Sequence, residues 1–120
     1  MGAEQLTNAL RSTDEIELTV TGRRSGREST RPVWFVEEGE SLYLVPVTGS
    51  DSDWYRNIVN TSAIRVSAGD AELSTTAIPI ADQARVDQVV DRFREKYGAD
   101  RVTAYYPKLD AAVEVPLTSS

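Results

Sequence analysis

Four arginines, Arg23, Arg24, Arg27 and Arg31, fall within nine residues of a chain whose formal net charge is −6. Like charges this close repel one another, so they need a compensating partner. The planar guanidinium fork suits bidentate recognition of phosphate or carboxylate. Thr21, Gly22 and Ser25 set small donors and backbone amides beside it. Two readings stand open: an anion site, or an exposed turn whose arginines pair with Glu28 and nearby acidic residues. The acidic chain as a whole, and a tip without an aromatic residue for base stacking, argue against a nucleic-acid partner.

A second candidate is the loop Val47, Thr48, Gly49, Ser50, Asp51, Ser52, Asp53. Its glycine permits close backbone approach to a ligand, and a helix starting after it would offer free N–H groups. Asp51 and Asp53 would cap that helix themselves and repel an anion, so an ordinary capped loop is the competing reading. Aromatic residues form a third set: Trp34 and Phe35, Trp54 and Tyr55, then Tyr97, Tyr105 and Tyr106. Such rings wall flat heterocycles, and they also fill cores and interfaces. Asn57, one turn after Trp54, is placed to pin a loop by bonding its backbone.

The chain has no cysteine and no histidine. Thiolate chemistry, a Ser-His-Asp triad and a His-ligated zinc site are therefore excluded within one chain. Asp51 and Asp53 could reach a metal, but two carboxylates without other ligands are a weak signal, and no metal is expected. Chemistry must rest on Arg, Asp, Glu, Tyr, Ser and Thr, or on a bound cofactor. No apolar run is long enough for a membrane span, and the first residues lack a signal-peptide layout, so a cytoplasmic protein is expected.

Local patterns indicate what positions these residues. Leu6 and Leu10 suggest a short helix over 3–12. Ile16, Leu18 and Val20 alternate with polar residues in a strand over 14–22, and Ser25-Gly26 marks a hairpin tip. Further strands are expected at 29–37 and 41–47, then a helix at 53–60, then strands at 62–68 and 71–80. Val86, Val89, Val90, Phe93 and Tyr97 form the apolar stripe of a helix over 82–97, with Asp82 at its start and Gly98 at its end. A helical turn at 100–106 and a strand at 111–117 complete the chain. Its 120 residues suit one domain. Short turns require antiparallel neighbours, so a small barrel or twisted sheet with packed helices follows.

The run Thr21-Gly22-Arg23-Arg24-Ser25-Gly26-Arg27, the strand with Pro32, the glycine loop and Trp54-Tyr55-Arg56-Asn57 together resemble the deazaflavin-dependent nitroreductase family. That family lies in the split β-barrel superfamily with the pyridoxamine-phosphate-oxidase-like FMN proteins. The pattern is also similar to an uncharacterised bacterial branch of the superfamily. The resemblance covers residues 14–80 and continues more weakly to the C-terminus. It implies a mainly β (α+β) fold, a six-stranded antiparallel split β-barrel with flanking helices spanning 1–120, and a homodimer. It implies a deazaflavin coenzyme of the F-420 type, or alternatively FMN, passing a hydride to a small organic acceptor. Arg23, Arg24, Ser25 and Arg27 would hold the anionic tail. Backbone at Val47, Thr48, Gly49 and Ser50 would meet the ring, with Trp54 and Asn57 supporting that loop. Tyr97, Tyr105 and Tyr106 would wall the acceptor pocket. The chain departs from the family where a lysine and two glycines usually stand: it has Thr48-Gly49-Ser50, with Asp51 and Asp53 just after. A non-catalytic anion- or cofactor-binding module and a structural homodimer are the alternatives.

Overall fold

The computed structural model describes residues 6, 8–11 and 13–117. Leu6 and Leu10 are buried and residues 8–10 are helical; positions 3–5, 7 and 12 of the expected first helix lie outside the described residues. The elements that follow are β1 (Glu15–Thr21), β2 (Glu28–Trp34), β3 (Val36–Glu38), β4 (Ser41–Leu44), a 3-10 turn (Gly49–Asp51) and α1 (Asp53–Asn60). Then come β5 (Ala63–Ala68), β6 (Ala71–Thr76), β7 (Ile78–Ile80), α2 (Gln83–Tyr97), α3 (Ala99–Tyr105) and β8 (Ala112–Pro116).

The strands form two four-stranded antiparallel sheets, ordered β2-β1-β5-β6 and β3-β4-β8-β7. The described residues thus hold eight strands where six were expected. The expected runs over 29–37 and 71–80 each break at one residue, Phe35 and Ala77, and the chain passes there from one sheet to the other. Each break takes backbone groups off the ladder, and buried groups of that kind need other partners. The Ala77 amide donates to Ser62 O at 2.8 Å. Side chains from α2 serve Phe35. The expected strand over 41–47 also stops early, at Leu44, and residues 45–48 lead irregularly into the 3-10 turn.

Alternation in β1 aims Ile16, Leu18 and Val20 inward, where they join Leu42, Leu44, Ile58, Val66, Val113 and Val115 in one apolar cluster. The other face of the second sheet packs Val36, Ile80 and Ala112 against Val86, Val90 and Phe93 of α2 and Val102 of α3. The expected helical stripe is therefore what docks α2. Gly98, at φ 98°, ends α2 and starts α3 directly, which sets Tyr105 and Tyr106 at a fixed distance from that docked helix. Among the described residues no helix is long and apolar enough to cross a membrane.

β2 is an edge strand, which is why Pro32 is tolerated in its middle. Ser29, Arg31 and Val33 pair with Val20, Leu18 and Ile16, so they share the inward face of the sheet. Yet Ser29 and Arg31 are exposed. The inner side of this edge stays uncovered, and a groove lies along it.

Candidate anion and ring-binding groove

The 22–27 turn is built by its own backbone. Gly22 N–H donates to Arg27 O at 2.8 Å, Gly26 N–H to Gly22 O at 2.9 Å, and Arg27 N–H to the Ser25 hydroxyl at 3.1 Å. The Arg23 amide donates to Asn57 Oδ1 at 3.0 Å, and the same oxygen accepts from the Arg23 guanidinium at 2.8 Å. Arg23 Nη2 also lies 3.5 Å from Asp53 Oδ1. Asn57 therefore pins a loop, as its type suggested. The loop is the arginine turn, however, and not residues 47–50 as the resemblance implied. Arg23 is correspondingly a brace between the turn and α1. Replacing Asn57 with Ala removes one buried acceptor of two bonds, and a loss of about 1–3 kcal/mol is expected in urea unfolding. Asn57→Asp, which keeps an acceptor, should lose less.

Glu28, the partner that a simple charged turn would use, is engaged by Arg65 at 3.3 Å. Arg24, Arg27 and Arg31 are exposed and have no carboxylate partner among the described residues. They line a cleft of about 380 Å³ with Ser25 and Ser29, and the carboxylates Glu28 and Asp53, each paired with an arginine, border it too. Arg31 and Asp53 also border a second cleft of about 430 Å³, which continues past Val33, Trp34, Val47, Thr48 and Trp54 to Tyr105 and Tyr106. The two adjacent clefts share Arg31 and Asp53; the first is rich in arginine, and the second is walled by aromatic residues with Asp51 also at its edge. Arg31, at the junction, was visible in sequence only as the fourth member of the arginine cluster.

The loop after β4 does not serve as expected. Thr48 N–H donates to Ser52 Oγ at 3.0 Å, Gly49 N–H to Pro46 O at 3.0 Å, and Ser50 N–H to Asp110 Oδ1 at 2.8 Å. Asp51 and Ser52 amides donate to Thr48 O and Gly49 O. Every amide from Thr48 to Ser52 thus has an acceptor inside the protein, so none of these amides is left for a ring. Gly49 and Ser50 face the 108–110 segment and not the groove. Gly49 is buried at φ 60°, and a Cβ there would collide with Asp110 and Lys108. The Ser50 hydroxyl donates to Asp110 Oδ2 at 2.7 Å. Val47, Thr48 and Trp54 remain at the groove wall.

The expected capping by Asp51 and Asp53 is also replaced. Ser52 is the N-cap of α1 without a side-chain cap bond, because its hydroxyl is committed to Thr48. Asp51 pairs with Lys108 at 2.8 Å and Arg56 at 3.1 Å. The Lys108 hydrogen bond and charge, with help from Arg56, hold its carboxyl below the usual range. Burial opposes ionisation of Asp110, but the Ser50 bonds and Lys108 outweigh it and the net direction is down. Asp51 and Asp110 are therefore offset by local cations and hydrogen bonds, whereas Asp53, which borders both clefts, is exposed and met by Arg23 at 3.5 Å. Among the described residues no three His, Cys, Asp or Glu side chains cluster as metal ligands.

Of the three candidate tyrosines, Tyr105 and Tyr106 line the groove. Tyr97 stands behind it. Its ring stacks on Trp34 at 4.3 Å and 10°, and its hydroxyl accepts from Phe35 N–H at 3.1 Å. The hydroxyl lies 2.8 Å from Asp14 O and 2.9 Å from Phe35 O, to either of which it can donate. Burial pushes this phenol up to about 12, with the Phe35 bond opposing. Burial raises Tyr106 as well. A raised folded pKa contributes stability in full below the unfolded value near 10 and loses it as pH climbs through about 12. Stability measured by urea unfolding should decline over that window. Tyr97→Phe, which cannot ionise, should flatten the decline; an unchanged slope would remove Tyr97 as its source.

The fold is split-barrel-like. An F420-H2 dependent reductase is 24% identical, with a TM-score of 0.66, covering 85% of this chain and 93% of its own. HutZ, a heme storage protein from Vibrio cholerae, is 11% identical with a TM-score of 0.75, covering 98% and 90%. A protein of the pyridoxinephosphate oxidase family from Clostridium acetobutylicum is 12% identical with a TM-score of 0.68, covering 95% and 82%. At these identities the likeness is one of fold. Residues 6–114 match the family described as an uncharacterized protein conserved in bacteria, DUF2255, and the chain belongs to it. No curated protein matches the sequence.

Proposed function

We propose that the groove binds a flat heterocyclic cofactor with an anionic tail, a reduced deazaflavin coenzyme first and FMN second, and that the protein is an oxidoreductase acting on a small organic acceptor. The observation that carries this reading is the adjacency of two clefts that share Arg31 and Asp53 in their walls: the first holds guanidinium groups without a carboxylate partner among the described residues, and the second holds Trp34, Tyr105 and Tyr106. When bound, the reduced cofactor would supply the hydride. The chain's own part is to bind and orient. Arg24, Arg27 and Arg31 would grip the tail, assisted by Ser25. Arg23 would keep the turn rigid from behind. Trp34 and Tyr105 would face the ring, with Thr48 Oγ1 and Val47 at its edge.

The similarity of fold to an F420-H2 dependent reductase and to a pyridoxinephosphate oxidase family protein supports a cofactor of this shape. The proposal extends to a single split-barrel domain over 1–120, a homodimer with the barrel's six runs bent at Phe35 and Ala77, and a cytoplasmic location. A solved domain-swapped dimer, 24% identical with a TM-score of 0.66, supports the dimer.

One observation favours a second reading, a binding module without catalysis. The amides of Thr48 to Ser52 are all engaged internally, so the ring would be held by side chains rather than by a donor loop. Fluorescence quenching with FMN and with the deazaflavin coenzyme tests the first step. Micromolar binding of either supports the cofactor role, and no binding of either removes it. Oxidation of the bound reduced cofactor by a nitroaromatic acceptor, faster than in free solution, supports the enzyme. Binding without that acceleration supports the module.

A further inference from the structure

We propose that Lys96 and Tyr97, at the C-terminal end of α2, are positioning residues that hold Trp34 as the aromatic wall of the groove. Phe35 is where the chain leaves one sheet for the other, so its N–H and C=O lack strand partners. The end of α2 supplies both. Lys96 Nζ donates to Phe35 O at 2.8 Å and sits 3.4 Å from the centre of the Phe35 ring. That ammonium satisfies the carbonyl and gains from the ring's negative face together. The Tyr97 hydroxyl bonds the same residue's backbone, while its ring lies against the Trp34 indole. Trp34 therefore cannot tilt without losing its stack, and Tyr97 cannot follow it without breaking the bonds to Phe35.

Trp34 also meets Tyr105 at 4.8 Å and Tyr106 at 5.9 Å, and Tyr106 abuts Phe93 of α2 at 5.9 Å and 90°. The docked face of α2 and the clasp at its end thus set both aromatic walls, although neither Lys96 nor Tyr97 lines the groove. The compact ammonium of lysine reaches the ring face and the carbonyl together here. In a chain with 13 basic residues only two are lysines, and Lys96 is one of them.

The test is fluorine NMR on the ligand-free protein carrying 5-fluorotryptophan, whose two resonances are assigned with Trp54→Phe. Tyr97→Phe keeps the ring and removes the hydroxyl; Lys96→Met removes the charge and keeps the stem. Both should shift or split the Trp34 resonance while leaving that of Trp54 in place. Arg94→Ala, an exposed change on the same helix, should move neither. Should Tyr97→Phe fail to fold, Lys96→Met carries the same measurement. A Trp34 resonance identical to the parent's in the folded variants would overturn the proposal. A second arm rests on the proposed function: FMN affinity should fall about fivefold in Tyr97→Phe, the equivalent of one lost hydrogen bond. If the parent protein binds no cofactor, the functional reading falls, and the ligand-free resonances still decide the positioning role.

Discussion

Gly49→Ala is expected to lower the stability of the protein by about 3 kcal/mol. Two costs combine. A left-handed backbone costs a side-chain-bearing residue about 1–2 kcal/mol, and Gly49 has φ 60°. Crowding a packed site adds about 1–3 kcal/mol, and the new Cβ would overlap Asp110 Oδ1 and press on Lys108. Asp110 cannot simply retreat, because it accepts both the amide and the hydroxyl of Ser50. Gly69→Ala is the control: its φ is 59°, and nothing lies within 4 Å of the added carbon. That variant should lose only the backbone share, about 1–2 kcal/mol. Urea midpoints compare the two. Equal losses would mean that the 108–110 segment yields freely and does not lock the loop.

Arg24→Ala with Arg31→Ala is expected to weaken binding of an anionic cofactor by about a hundredfold, on the basis of roughly 1.5 kcal/mol for each charge-assisted contact. The dependence of affinity on salt should flatten in the same variant, since exposed charges act through a screened field. Stability should hardly change, because neither side chain has an ion-pair partner to lose among the described residues. Arg23→Ala should behave in the opposite manner. It removes the brace to Asn57 and Asp53, so unfolding shifts while the cleft keeps its outer cations. A double variant that binds as tightly as the parent would take the turn out of the site.

These contrasts show how far local pattern reached. The helix at 53–60 and the stripe Val86, Val89, Val90, Phe93 were legible because period and turn chemistry act over a few residues. So was the arginine turn, because charge clustering needs no tertiary knowledge. The breaks at Phe35 and Ala77 were not, since nothing in an uninterrupted strand-like run marks where it changes sheets. The roles of Gly49 and Ser50 were misplaced for a related reason. Their partner Asp110 is 60 residues away from Ser50 in sequence, and that contact decides which way the loop's donors face. Tyr97 was seen as a possible groove wall because its type suits one, but the stack on Trp34 and the bonds at Phe35 put it behind that wall. Arg23 and Arg24 look alike in sequence; only Asn57, 34 residues from Arg23, separates the brace from the free cation.

The groove itself is the claim on which the rest depends, and backbone amide NMR with FMN or the deazaflavin coenzyme as titrant tests it most directly. The account expects shifts confined to Arg24, Arg27, Arg31, Thr48, Tyr105 and the Trp34 indole, with Arg85, Gln88 and Arg92 on the α2 face unmoved. Shifts centred on that α2 face, or none anywhere at millimolar cofactor, would contradict it.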